Sequence, residues 1–423
     1  MMMEDVFRRG KAKKQRDPER MVAHLAAYML NAILVTEFFE LLCVALHLPS
    51  AITAVIRLVV RDGGYILSFL LTIRCVWKKL RLEFLLLPLF FVAALCVTLF
   101  LVPSYQNTAL WNPVILLFLR CLPLYMLTAA VSDYRKVVRA CIPYIFVAIA
   151  HCILYVITLA EDISNYMTFS YSLLIPVLVS LILMFEWKRV YFLPAAFLMV
   201  VIMLYGARGP LLCIGVSGIA MLIVSLKRMT PFKVVMIMLG FLALCTVALL
   251  WTQIMQLLMQ LFPDSRTLYI LQNLTGLEEI ATGRVDIYEA GLELLNKNPL
   301  FGYGIMRDRY YLSRQLGFSD YQEGITPHNL ILEFALQYGV ILGIVLFFLL
   351  LALYILTFRR IRKKPSAERM FIESVIISSF LQLMVSSSYL ESYLFCFGLG
   401  ICITTMIGKR PHTICGNEVV EKC

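Results

Sequence analysis

The sequence predicts an all-α polytopic membrane protein of about 12 transmembrane helices with one large, partly helical outer loop, and three observations predict it. Hydrophobic residues make up 61% of the 423 positions and charged residues only 15%, too little polar surface to cover a soluble globule of this length. Apolar runs near the roughly 20 residues that carry a helix across a bilayer recur along the whole chain. Lys and Arg gather in every second connection between those runs, as they do in cytoplasmic loops.

Residues 1–20 form a basic segment with Arg8, Arg9, Lys11, Lys13, Lys14, Arg16 and Arg20. The apolar stretch behind it continues to Leu46, too long for the core of a signal peptide, and contains Glu37 and Glu40. It reads as an uncleaved first helix. Residues 21–251 hold nine spans, near Val22–Leu46, Gly64–Trp77, Leu82–Val102, Leu110–Val131, Ala140–Ala160, Tyr166–Phe185, Val190–Tyr205, Pro210–Leu226 and Phe232–Trp251. The second is short and carries Arg74, so Ala51–Val60 either lies on the surface or re-enters beside it. Residues 327–408 hold three more, near Pro327–Phe358, Phe371–Tyr389 and Tyr393–Ile407, and 409–423 form a tail.

With the first helix running outward, the clusters Lys78/Lys79/Arg81, Arg135/Lys136/Arg139, Lys188/Arg189, Lys227/Arg228/Lys233, Arg359 to Lys364 and Lys409/Arg410 all fall inside. Both termini are then cytoplasmic, and residues 252–326 form the large outer loop. The net charge of +11 follows from this topology; the basic residues make no aromatic-interleaved patch, so no nucleic-acid partner is expected. Ten of the twelve cysteines lie in or beside apolar runs and two in the tail, a pattern that suggests neither a disulfide framework nor a metal site.

The outer loop is where chemistry is expected, because a long connection is either functional or disordered and this one is patterned. Gln253–Phe262 is an amphipathic Met/Leu run suited to the membrane interface, and Pro263–Asp264 ends it. Thr282 and Gly283 precede a helical pattern with Val285, Tyr288, Leu292 and Leu295 on one face, stopped by Asn298–Pro299. Arg284 at the start of that helix opposes the dipole unless an anion binds there, when guanidinium and free N–H groups would converge on a phosphate. The bland reading is that Arg284 faces water or pairs with Asp286 or Glu289. Gly302, Tyr303 and Gly304 permit either a tight turn or a close approach to a ligand.

Thr326-Pro327-His328-Asn329 reads as an N-cap, a Pro at the first helical position and a His in the first turn of a transmembrane helix. A His held neutral there is suited to act as a general base; otherwise it is a hydrogen-bonding anchor. Asn329, Glu333 and Gln337 recur every four residues, a polar stripe that faces a wet cavity or forms an interhelical ladder. Arg208, between Gly206-Ala207 and Gly209-Pro210, either holds an anion or snorkels to a headgroup. Glu37, Glu40, Arg74 and Arg120 lie within predicted spans, where structural pairing is expected over an ion path.

Taken together, these residues resemble the O-antigen ligase and polysaccharide polymerase family of bacterial membrane glycosyltransferases. The resemblance rests on Gly206-Ala207-Arg208-Gly209, on Gly283-Arg284 followed by Asn298-Pro299-Leu300-Phe301-Gly302-Tyr303-Gly304, and on His328-Asn329 followed by Gly339. Three residues separate Gly339 from Gly343 where the family usually has two. The resemblance implies a GT-C-like fold and cofactor-free, metal-independent transfer of a glycan from an undecaprenyl-diphosphate carrier to an acceptor glycan or glycolipid outside the cytoplasmic membrane. It implies catalytic roles for His328, Arg284 and Arg208, and substrate-binding roles for Asn329, Glu333, Gly302, Tyr303 and Gly304. Membrane lipids and polysaccharide-assembly proteins are the further partners it suggests. The competing expectation from another class is a transporter or flippase for a lipid-linked or anionic solute.

Overall fold

The structure, a computed structural model, describes residues 18–77, 82–101, 111–158, 166–205, 207–225, 277–318 and 325–408, with isolated positions between 253 and 260. Among these residues every regular element is a helix. In chain order they are α1 (Pro18–Ala45), α2 (Ser50–Arg57), α3 (Gly64–Val76), α4 (Leu82–Leu101), α5 (Trp111–Leu116), α6 (Leu122–Leu127), α7 (Tyr134–Ala140), α8 (Ile142–Thr158), α9 (Tyr166–Ser172), α10 (Leu174–Glu186), α11 (Phe192–Tyr205), α12 (Arg208–Ser225), α13 (Leu277–Lys297), α14 (Arg307–Gln315), α15 (Leu330–Tyr338), α16 (Val340–Ile361), α17 (Ser366–Val385) and α18 (Tyr393–Ile407).

Among the described residues, five segments are long and apolar enough to cross a membrane: Glu19–Ala45, Tyr134–Thr158, Tyr166–Glu186, Arg208–Ser225 and Val340–Ile361. Phe84–Cys96, Pro113–Leu127, Arg189–Tyr205 and Tyr393–Ile407 are shorter apolar helices. α16 turns Ile341, Phe348 and Leu349 outward, each more than 60% exposed. A face of that kind is stable where hydrocarbon covers it.

The structure adds detail to one expectation and corrects two others. The stretch Ala51–Val60 is helical, running through α2 and a π-helical turn (Leu58–Gly63) straight into α3, and Arg57 anchors it to Glu40 of α1 with bonds of 2.7 and 2.9 Å. The outer-loop helix begins at or before Leu277, not at Gly283, so Arg284 stands well inside α13. The predicted span Pro327–Phe358 is broken at Gly339, which has φ 84° and separates α15 from α16. The expected span Phe232–Trp251, most of Gln253–Phe262 and the basic clusters at 78–81, 227–233 and 409–410 lie outside the described residues.

Membrane helices gain little from burying apolar side chains against each other, so they approach through small residues that let backbones meet. α12 lies along α17, where the Ser217 and Ser378 hydroxyls are 3.1 Å apart. α18 crosses α6 at Gly400, where a Cβ would stand 2.5 Å from Thr128 Oγ1 and 2.7 Å from the Tyr125 carbonyl. Gly400→Ala is therefore expected to destabilise the protein by about 1–3 kcal/mol through overpacking. Thermal unfolding of the purified protein in detergent checks this, and an unchanged midpoint would refute the close contact.

Candidate functional site

One end of the bundle gathers most of the conspicuous residues, and the folding of α15 explains how. Asn329 is its N-cap: the side-chain carbonyl accepts from the Ile331 and Leu332 N–H groups at 3.0 and 3.3 Å. Thr326 was expected to cap and His328 to lie in the first helical turn; instead both precede the helix. Asn329 Oδ1 is thereby committed to the backbone.

The far end of α15 is closed by the glycine turn of the outer loop. Tyr303 N–H donates to the Leu336 carbonyl at 2.7 Å, Gly304 N–H to the Gln337 carbonyl at 2.9 Å, and Val340 N–H to the Pro299 carbonyl at 2.8 Å. The first two satisfy carbonyls that the C-terminus of α15 leaves free, and the third satisfies the first N–H of α16. Gly302 and Gly304 have φ of 64° and 85°, and a Cβ on Gly302 would stand 2.6 Å from the Leu336 carbonyl and the Gly339 N–H. Their freedom serves the turn and its contact with α15. Tyr303 adds a bond from its hydroxyl to the Leu294 carbonyl of α13, 2.9 Å, and packs its ring 4.7 Å from that of Tyr311 on α14. The turn thus joins α13, α14 and α15.

His328 has φ 49°, a left-handed backbone that non-glycine residues adopt where surroundings enforce it, often at functional sites. Its Nδ1 lies 3.1 Å from the Thr326 hydroxyl, and the ring bonds to the backbone of Ser386. Burial and then the positive charge of Arg284 hold its pKa below the usual histidine range, against the opposing pull of the Ser386 backbone and Glu391. The imidazole is accordingly the neutral, proton-accepting form at neutral pH.

Ser386 is a junction. Its hydroxyl hydrogen-bonds the hydroxyl of Tyr171 on α9, and a Cβ on Gly209 would collide with that same tyrosine oxygen. Arg208, adjacent to Gly209, opens α12 with an exposed side chain, while Ala207 N–H donates to Ser170 Oγ at 2.7 Å and pins the turn to α9. Arg284 is exposed on α13 and acts electrostatically on both Tyr171 and His328. The structure therefore brings His328 and Arg284 together and sets the Arg208 turn against the same Tyr171–Ser386 pair.

Beneath this surface lies a buried polar network that sequence reasoning saw only in part. Arg309 on α14, 1% exposed, pairs with Glu391 and donates to Ser388 Oγ at 2.8 Å; Ser388 in turn donates to Glu333. Gln337 donates to Asp308 at 3.1 Å and accepts from Tyr389, whose hydroxyl is 2.9 Å from that of Tyr338. The Glu333/Gln337 stripe is thus an interhelical ladder, with Glu333 1% exposed. Burial raises the Asp308 pKa to about 6, although Arg309 and Gln337 oppose the shift. The sequence signals were present: Arg307-Asp308-Arg309 is a dense charge cluster in the outer loop, and Ser386-Ser387-Ser388-Tyr389 is a polar run between apolar helices. Among the described residues, no three His, Cys, Asp or Glu side chains cluster as metal ligands.

No curated protein compared with the chain matches it. Residues 193–348, from α11 through the Gly339 break into α16, match the family model described as O-antigen ligase. That segment contains Arg208, Arg284 and His328, and over it the chain is similar to the O-antigen ligase family.

Proposed function

We propose that this protein is a metal-independent membrane glycosyltransferase that joins glycan repeat units as a polysaccharide polymerase. The donor is a glycan on an undecaprenyl-diphosphate carrier, and the acceptor is a sugar hydroxyl at the outer face of a bacterial cytoplasmic membrane. The observation that carries this reading is the meeting of a neutral, conformationally constrained His328 with the cation Arg284 inside a segment that matches the O-antigen ligase family.

The acceptor oxygen attacks the anomeric carbon of the donor glycan, and the bond from that carbon to the phosphate oxygen breaks. The carrier diphosphate leaves with the bonding electrons, and the hydroxyl proton passes to His328. Arg208 and Arg284 hold the diphosphate and offset the charge that grows as it departs. Glu333 supports the site from behind through Ser388 and Arg309. Residues 252–326 form the outer loop, both termini are cytoplasmic, and about 12 helices make a GT-C-like bundle. Cysteine labelling from each side of the membrane tests that topology.

The family description as O-antigen ligase favours a second reading, in which the finished glycan is transferred to lipid A–core. Purified protein in lipid, given a synthetic undecaprenyl-diphosphate repeat unit, decides among the readings. Products that lengthen without lipid A–core, and that fail with Arg284→Ala and His328→Ala, support a polymerase. Strict dependence on lipid A–core makes it a ligase. Carrier movement across the bilayer without any transfer makes it a flippase.

A further inference from the structure

Charged residues within the predicted spans are expected to pair, and Glu40 does so with Arg57. Arg120 does not. It sits in the π-helical segment Leu117–Cys121 between α5 and α6, 5% exposed, with Nε and Nη2 buried and without acceptors. Its guanidinium lies 3.9 Å from the centroid of the Tyr393 ring and 5.5 Å from that of Tyr65. The neighbouring carboxylates are engaged elsewhere: Glu391 with Arg309, and Glu37 with Ser172 and, at 3.8 Å, His151.

A guanidinium cannot shed its proton to escape burial, and two ring faces compensate only part of the lost hydration. Tyr393 also opens α18, whose N-terminus is electropositive, so the helix dipole adds to the unbalanced charge. A π-helical turn is a frequent mark of functional sites. Forked donors, a positive helix end and no counter-ion among the described residues together define a receptor for an anion, and for phosphate in particular.

The place of Arg120 relates it to the site already described. Cys121 Sγ contacts the Glu391 carbonyl at 3.5 Å, so the π segment lies against the connection from Ser386 to Tyr393. One end of that connection, Ser386, bonds His328, and the other, Tyr393, lies under Arg120. Seven residues span at most about 25 Å fully extended, and this connection is folded on itself by bonds from Glu391 N–H and Ser392 N–H to the Ser388 carbonyl.

Resting on the proposed transfer reaction, we propose that Arg120 forms a second anion site, which takes the phosphate group of a second lipid-borne substrate. A polymerase needs such a site, because its acceptor and its donor are both carried on lipid phosphates.

Native mass spectrometry of the full-length protein in detergent, with farnesyl diphosphate as the probe, tests this. Wild type binds two copies; Arg120→Gln and Arg284→Ala each bind one; the double variant binds none. The copy that Arg120→Gln retains reports that the variant is folded, and Arg120→Lys, which keeps the charge, holds both copies. A wild-type stoichiometry of one, or two copies retained by Arg120→Gln, overturns the proposal. Displacement of the Arg120 copy by excess inorganic phosphate would show a site for free anion and overturn the lipid assignment. Two bound copies in a protein that transfers no glycan would reject the proposed function and leave the Arg120 site standing.

Discussion

Replacement of His328 by alanine lowers the rate of glycan transfer by about 10²–10⁴-fold, the usual contribution of a positioned proton acceptor. On the proposed mechanism the loss falls on kcat, because the proton moves only as the acceptor oxygen attacks, whereas carrier binding would rest on the arginines. The pH profile separates this role from a structural one. Burial and Arg284 both favour the neutral imidazole, so wild-type activity persists below the ordinary histidine pKa of about 6.5 before the acid limb begins. Arg284→Gln removes one of those two influences. The residual activity of that variant therefore loses its acid side at a higher pH than wild type. Equal acid limbs in the two proteins would show that His328 is not the group that titrates.

Replacement of Arg309 by methionine destabilises the protein by about 3–5 kcal/mol, because it leaves buried acids without their cation. Arg309 serves Glu391 and Ser388 directly and acts on Glu333 and Asp308 through its field. The sign of the pH dependence follows from Asp308. Its folded-state pKa, about 6, lies above the ordinary carboxyl value, so the folded protein holds this proton more tightly than the unfolded chain. The stability it contributes is complete below the unfolded pKa near 4 and declines as pH rises toward 6. Without Arg309 the carboxylate form is disfavoured further, and the variant's deficit grows with pH. Unfolding midpoints in detergent at about pH 5 and pH 8 measure it, bracketing the shifted pKa. A deficit of the same size at both would mean that the loss is one of packing.

Much of the helical architecture was legible in the sequence because apolar length is a local signal. α18 has the bounds read for it, and α12 starts two residues before its expected place. The break at Gly339 was hidden because apolar residues continue on both sides of it, so hydropathy alone sees one span. The start of α13 was misplaced because Thr282-Gly283 imitates a helix entry inside a run that is already helical. The capping bond of Asn329 depends on where α15 begins, which the four-residue polar spacing does not disclose. The Tyr171–Ser386 contact joins residues 215 apart, and only packing reveals it. Arg309 was missed for the same reason: its worth lies in partners contributed by other helices.

The elbow at Gly339 is also a lever. Gly343 packs so closely on α15 that a Cβ there would stand 2.7 Å from the Ala335 nitrogen, and Pro299 holds the first N–H of α16. The angle between α15 and α16 is therefore fixed. A helix of 22 residues meets a thinner or thicker bilayer by changing its tilt, and a rigid elbow passes that tilt to the segment bearing His328. Membrane thickness becomes a setting of the site: transfer rates in vesicles should vary with acyl-chain length, with an optimum where the tilt of α16 leaves His328 facing Arg284.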